Sequence, residues 1–360
     1  MNLLKKIINP RSRVFWALAL LIFVALAGDG LAHEPKMGTF PPLIPYASLT
    51  LDKLDANFLS PFSDLHLGFY NRHWLGTDGI GRDVLAGLIS GTKTALMVGF
   101  GGMFLAFLLG VPIGLMAGFW GDERLEMPIL SAILRGPIFL IVGFYFYIFL
   151  NLNNSSGLII IKLILIVLCY ELLINILEFL FKKINIFNRT VVVPFDLIVM
   201  RFLDIMQAVP MFLWILGSLT IIGAHQLTIN SLIVLIGLTS WVGFARLVRG
   251  EMMRIQSLEY MEAAVVLGAS EWRQMLRHAL PNVVTPALVA LSFGIANAIL
   301  LEALLSFLGL GLPAEIVTWG TLLQVARSNF ECWWLAVFPG LAIFFTVYTF
   351  NRLGELMSDN

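Results

Sequence analysis

The sequence predicts an all-α polytopic membrane protein of about eight transmembrane helices. Composition is the first observation: 59% of the residues are hydrophobic, 13% are charged and the mean hydropathy is +0.88. A soluble domain is about half apolar and a quarter charged, so lipid is the solvent for most of this chain. The second is a series of apolar runs close to the roughly 20 residues that a helix needs to cross hydrocarbon. The third is the confinement of Lys and Arg to alternate breaks between those runs.

The runs are 14–31, 94–119, 137–152, 157–180, 197–217, 228–247, 283–308 and 333–353. The first follows a basic start and ends in GDG, which reads as a retained anchor helix. Its Ala25-Leu26-Ala27 end also fits a cleavable signal peptide. The second carries a small residue at every fourth position, Gly102, Ala106, Gly110, Gly114 and Gly118. That stripe lets a neighbouring helix approach closely, and Pro112 suggests a bend. The third and fourth are split by the uncharged NLNNSSG and closed by FKKINIFNR. The third is short for a span, so a re-entrant or interfacial course is the alternative. On the fourth, Glu171 and Glu178 share a face turned toward protein, while Lys162 snorkels to the interface. In the fifth, Arg201 and Asp204 stand one turn apart and read as a structural ion pair. In the seventh, Glu302 lies toward the outer end, lining a path or accepting a hydrogen bond inside the bundle. Cys169 and Cys332 show no metal-ligand spacing and read as packing residues.

Basic residues set the orientation. Lys5, Lys6, Arg11 and Arg13 precede the first run, Arg124 and Arg135 follow the second, and Lys182, Lys183 and Arg189 follow the fourth. Arg246, Arg249, Arg254, Arg273 and Arg277 surround the break at 248–282, whereas the alternate breaks are almost bare. Both termini and 248–282 are therefore expected in the cytoplasm and the long segment 32–93 outside. The formal net charge is zero, which argues for neither nucleic acid nor an acidic substrate.

Within 248–282 the stretch EYMEAAVVLGASEWRQMLRHALPN is too polar for lipid. Leu258, Met261, Ala264, Val265 and Leu267 make an apolar stripe, and Gly268 offers positive φ for a turn. Ser270 is a good N-cap with Glu271 in the first turn. Trp272, Met275, Leu276, Ala279 and Leu280 then form a second stripe opposite Arg273, Gln274, Arg277 and His278. Pro281 is expected to stop this helix after about ten residues. Such a hairpin either rests on lipid headgroups or fits a groove on a partner.

Glu262-Ala263-Ala264 followed by Gly268 resembles the E-A-A-x-x-x-G signature of binding-protein-dependent ABC importer permeases. HWLGTDGIGRDVLAGLISGTKTAL, FDLIVMRFLDIMQAVP, SWVGFARLVRGEMM, LEALLSFLGLGLPAEIVTWGTLL and WLAVFPGLAIFFTVYTFNRLGE resemble the dipeptide/oligopeptide subfamily, in the same order. The resemblance implies the type I ABC importer transmembrane fold and a permease subunit forming half of a translocation pathway for peptides or related small solutes. It also implies partners: a cytoplasmic ATPase that uses the ATP, a second homologous permease subunit and an extracytoplasmic solute-binding protein. By it, Glu262, Ala263, Ala264, Gly268, Ala269, Arg273 and Arg277 are the coupling residues toward the ATPase, in a bacterial plasma (inner) membrane. Glu302 and Asn297 are the candidate path residues.

Domain boundaries follow: an anchor helix and extracytoplasmic segment over 1–72, then the permease domain over 73–360. The family core has six spans, so about 123–193 is an inserted helical pair that crosses out and back. The outer segment 32–72 is the candidate contact for the binding protein. GLISGTKT imitates a Walker A loop, but Thr92 stands between Gly91 and Lys93, so the spacing fails and no nucleotide or other cofactor is expected on this chain. No catalytic pair or G-x-S-x-G elbow is present, so the chain is not expected to be an enzyme. The alternatives are a permease for another solute such as nickel, or a secondary transporter or channel. The last would place buried charges at broken helices near the midplane, whereas the charges here sit near span ends.

Overall fold

The computed structural model describes residues 13–32, 44–49, 58–61, 63, 72–128, 168, 172, 174, 190–222, 227–313 and 316–358. The expected spans 137–152 and 157–180 lie almost wholly outside the described residues, as do Lys162, Cys169, Glu171, Glu178, FKKINIFNR and most of 32–72.

Helix α1 (Arg13–Leu31) is followed by α2 (Val84–Trp120), whose 37 residues make it about 55 Å long. It starts ten residues before the apolar run does. Asp83 caps it by accepting from the Ala86 N–H at 2.7 Å, so GLISGTKT is helix rather than loop, and the long break expected over 32–93 gives way to helix at Val84. Helix α5 (Ile229–Gln256) opens with a capping box between Thr228 and Ser231. It packs against the small-residue stripe of α2. A Cβ on Gly110 would lie 2.5 Å from the Trp241 carbonyl oxygen, and one on Gly114 would lie 2.3 Å from that of Ala245. Close approach of this kind replaces side-chain burial in apolar solvent.

The fifth run is not one straight span. It divides into α3 (Phe195–Ala208) and α4 (Met211–Ile222), bent by 75°. Pro210 donates no hydrogen bond and drives Val209 out of helical geometry. The Trp214 indole N–H donates to the freed Met206 carbonyl at 3.0 Å.

After α6 (Glu259–Val266), helix α7 runs unbroken from Glu271 to Phe307. This corrects the expected stop at Pro281. Residues Gln274–Ala279 form a π-helical turn, in which the Leu280 N–H reaches the Met275 carbonyl. The wider turn delivers the chain to a fresh α segment whose first positions tolerate proline. The break at 309–332 holds a further helix, α8 (Trp319–Ser328), with its own capping box between Thr318 and Thr321. Its buried Trp319 donates to the Leu88 carbonyl at 3.0 Å. Helix α9 (Trp334–Ser358) closes the described chain.

Two short strands, β1 (Glu126–Pro128) and β2 (Thr190–Val192), add an antiparallel ribbon to the helices, with Glu126 opposite Val192. The two ends of the expected insertion therefore leave and return side by side. Among the described residues four helices, α2, α5, α7 and α9, are long and apolar enough to cross a membrane, and the bent α3–α4 pair, taken as one span, makes a fifth. The apolar stretch of α1, Trp16–Gly28, is shorter, so the described residues account for fewer full spans than the eight expected. At the end of the bundle opposite the hairpin, Asp83 also bonds His73 at 2.9 Å, and Trp334 donates to the Thr77 carbonyl at 3.1 Å. These contacts fold HWLGTDGIGRD into a cap at the start of α2.

Candidate functional site

The hairpin of α6 and the first turns of α7 hangs from the end of the bundle where α2 and α5 finish. Its turn is a Schellman motif. The Ala269 N–H donates to the Ala264 carbonyl at 3.0 Å, the Gly268 N–H donates to that of Val265 at 2.9 Å, and Gly268 has φ +74°. No atom lies within 4 Å of where a Gly268 Cβ would sit, so the backbone angle alone requires glycine here.

Met261, Met275 and Ala279 bury themselves against Val111, Leu115, Phe119, Val248, Met252 and Ile255 of α2 and α5. Polar bonds fix the two arms. Asn282 donates to the Tyr260 hydroxyl at 2.9 Å, Gln274 to the Ala269 carbonyl at 2.6 Å, and Gln256 to the Phe119 carbonyl at 2.7 Å. Trp120, the last residue of α2, donates to the Glu271 carboxylate at 3.2 Å and meets Trp272 edge to face. The hairpin is thus wedged, not dangling.

Glu262, Ala263, Gly268, Arg273 and Arg277 are exposed and Ala269 is half-buried. Ala264 faces inward beside Met261, so its small size serves the protein's own core. The two apolar stripes divide differently from the sequence expectation. Met261, Ala264, Met275 and Ala279 point in, whereas Val265, Trp272 and Leu276 are exposed, and Val266 and Leu267 are each 86% exposed. Helix α6 ends before its stripe completes a third turn, which leaves Leu267 at the cap. The π turn changes the angle per residue, which puts Gln274 inside with its amide bonded. Ser270 occupies the N-cap position, yet its side chain makes no cap bond.

Two ion pairs fasten α3 to α5. The Arg249 guanidinium forks onto both oxygens of Asp196, and Arg246 bonds Asp204 at 2.9 Å and also Gln207. Asp204 therefore pairs across helices and not with Arg201, which is exposed. Sequence spacing reveals neighbours on one helix but not across two. Trp120, Gln256 and Tyr260 were missed for the same reason. The position of Trp120 at the end of a span, where aromatic residues anchor interfaces, was the available signal.

Above the Arg246 pair, the α3–α4 bend opens a cleft of about 450 Å³ against α2, α5 and α7. Asn297 lines it together with Gln207, Trp214, Thr239 and Ser240. Glu302 does not. It is fully buried five residues further along α7 and accepts a hydrogen bond from the Ser306 hydroxyl at 2.8 Å.

Apolar spans, a polar hairpin wedged beneath them and a cleft at a broken helix define a multi-pass α-helical membrane transport component. Residues 189–359 match the family described as binding-protein-dependent transport system inner membrane component, and the relatives that the chain resembles are named as transport permeases. It is 28% identical to the glutathione transport system permease protein GsiD of Pectobacterium atrosepticum, over 85% of this chain and 77% of that one. It is 26% identical to the oligopeptide transport system permease protein OppC of Haemophilus influenzae, over 80% and 69%. Against the dipeptide transport system permease protein DppC of Bacillus subtilis, identity is 25% over 90% and 76%.

Proposed function

We propose that this chain is one of two permease subunits that together enclose a translocation pathway for peptides or a related small solute. The hairpin from Glu259 to Asn282 is its coupling element toward a separate cytoplasmic ATPase. The observation that carries this reading is the apolar tip Val265-Val266-Leu267, held outward on a rigid Schellman turn. Glu262, Glu271, Arg273 and Arg277 surround that tip in exposed positions, which suits a protein groove better than hydrocarbon. Names of the relatives, which refer to oligopeptide, dipeptide and glutathione transport, support the solute class.

The bidding of the ATPase reaches the spans without a joint, because the second arm of the hairpin is the start of α7. Closure of ATP-bound motors would displace the hairpin and tip α7, switching the bundle between two packed states open to opposite sides. ATP is consumed by the partner; this chain supplies no chemistry. Lys and Arg distribution supports a bacterial inner membrane with both termini in the cytoplasm. The binding protein then docks on the opposite face, where the cap HWLGTDGIGRD lies.

A cysteine at the exposed Ala263 tests this reading. In membranes holding the assembled transporter, a short crosslinker is expected to capture a nucleotide-hydrolysing protein. Capture of lipid alone, or labelling of that cysteine from outside the cell, would overturn it.

A further inference from the structure

Methionine recurs in the apolar wall of the cleft at Pro210, beside Val209, Trp214, Val242 and Leu301. Met103 enters from α2, Met206 from α3 and Met211 from α4, so three helices converge on one cavity through the same side chain. Gly294 on α7 makes the room for Met103, since a Cβ there would lie 2.3 Å from the Met103 Cε. Gly243 on α5 leaves a second opening, with no atom within 4 Å of where its Cβ would be. The polar part of the lining, Gln207, Thr239, Ser240 and Asn297, is neutral, and no charged side chain lines the cleft among the described residues.

Those residue types have a common property. A methionine side chain is unbranched, has three rotatable bonds and a polarisable sulfur, and refits itself to irregular shapes. Surfaces that accept many partners use it for that reason. Neutral amides and hydroxyls both donate and accept, so they can meet either sense of a peptide group. A fixed charge would select one solute charge and hold it; this wall has none to offer.

We propose that the cleft contacts the solute in transit, accepts uncharged side chains of varied shape, and owes that breadth to Met103, Met206 and Met211. This rests on the reading of the chain as a peptide permease. Stiffening the wall while keeping its volume should narrow the range of solutes, because β-branched residues lose rotamer freedom.

The test uses the complete transporter in proteoliposomes, with one binding protein throughout, and a panel of dipeptides from glycylglycine to those with leucine, phenylalanine or methionine side chains. Each variant's uptake rates are divided by its own glycylglycine rate. The M206I/M211I variant is expected to widen the spread across the panel by about tenfold, the scale on which a rigid apolar pocket discriminates. The M206L/M211L variant, branched at Cγ but not at Cβ, keeps a spread near that of the parent protein. An unchanged spread in M206I/M211I, with peptide-stimulated ATP hydrolysis intact, overturns the proposal alone. Failure of the parent transporter to move any peptide overturns the peptide reading beneath it. In a second arm, a dipeptide bearing a diazirine side chain is photolysed during turnover. Label at Met103 or in 206–214, 239–243 or 294–301 supports the proposal; label confined to segments that do not line the cleft overturns it, even where the isoleucine variant does not assemble.

Discussion

Gly268 shows how much one backbone angle can decide. Its φ of +74° sits in open space, so only conformation opposes a side chain there. Gly268→Ala is expected to cost about 1 kcal/mol through left-handed strain and to leave the hairpin formed. Gly268→Pro removes the N–H that bonds the Val265 carbonyl and demands negative φ. That variant should reach the membrane yet lose transport, as fractionation and uptake assays would show; normal uptake would refute the account of the turn. Gly114 is the opposite case. Its absent Cβ would stand 2.3 Å from the Ala245 carbonyl, a backbone atom that cannot rotate away. Gly114→Ala is expected to push α2 from α5 and to lower stability by about 1–3 kcal/mol, read as a reduced melting temperature in detergent.

At the level of elements, the continuity of α7 is the property with most consequence. Under the proposed coupling role, a lever joined to its span by a loop would lose motion at the joint, whereas the hairpin passes into α7 through a π turn without interruption. Insertion of two glycines after Ala279 should therefore uncouple transport from ATP hydrolysis while the Ala263 crosslink to the ATPase persists. Loss of that crosslink would mean that the insertion had collapsed the hairpin itself. The same logic applies to α3, which follows α5 through Arg249 and Asp196. Asp196→Ala leaves a partly buried guanidinium without its fork and should lower the melting temperature. The exchanged pair D196R/R249D should recover part of the loss, which a purely steric role for Asp196 would not allow.

For the molecule as a whole, the β1–β2 ribbon ties together the two ends of the 123–193 segment. Chain ends already paired can be joined by a two-residue turn without moving what lies beyond them. Replacement of 129–189 by Asn-Gly is expected to yield a membrane-inserted protein that still assembles with its partners, seen by copurification. Failure to insert would show that the segment helps build the bundle rather than decorating it.

What was legible in the residues was legible because lipid is an unforgiving solvent. It demands long apolar runs, so the spans starting near 228 and 333 and the membrane class of the chain could be read directly. The stripe from Gly102 to Gly118 announced a close helix neighbour, and the apposed carbonyls of α5 supply it. Gly268 announced a turn, since few other residues take positive φ. Less could be seen where one residue's role depends on another far along the chain. Arg201 looked like the partner of Asp204 because it is close in sequence, but α5 brings Arg246 nearer. Pro281 looked like a stop because proline lacks a donor, but the preceding π turn absorbs the mismatch. Val266 and Leu267 face out because α6 ends there, while Met261, Met275 and Ala279 occupy the wall of α2 and α5. The sequence by itself determined that this protein crosses a membrane and carries a glycine-hinged polar hairpin, since solvent and backbone sterics act locally. Which face of that hairpin stays free, and where a cleft opens, was decided by tertiary structure alone, because both are set by helices that meet only after the chain has folded.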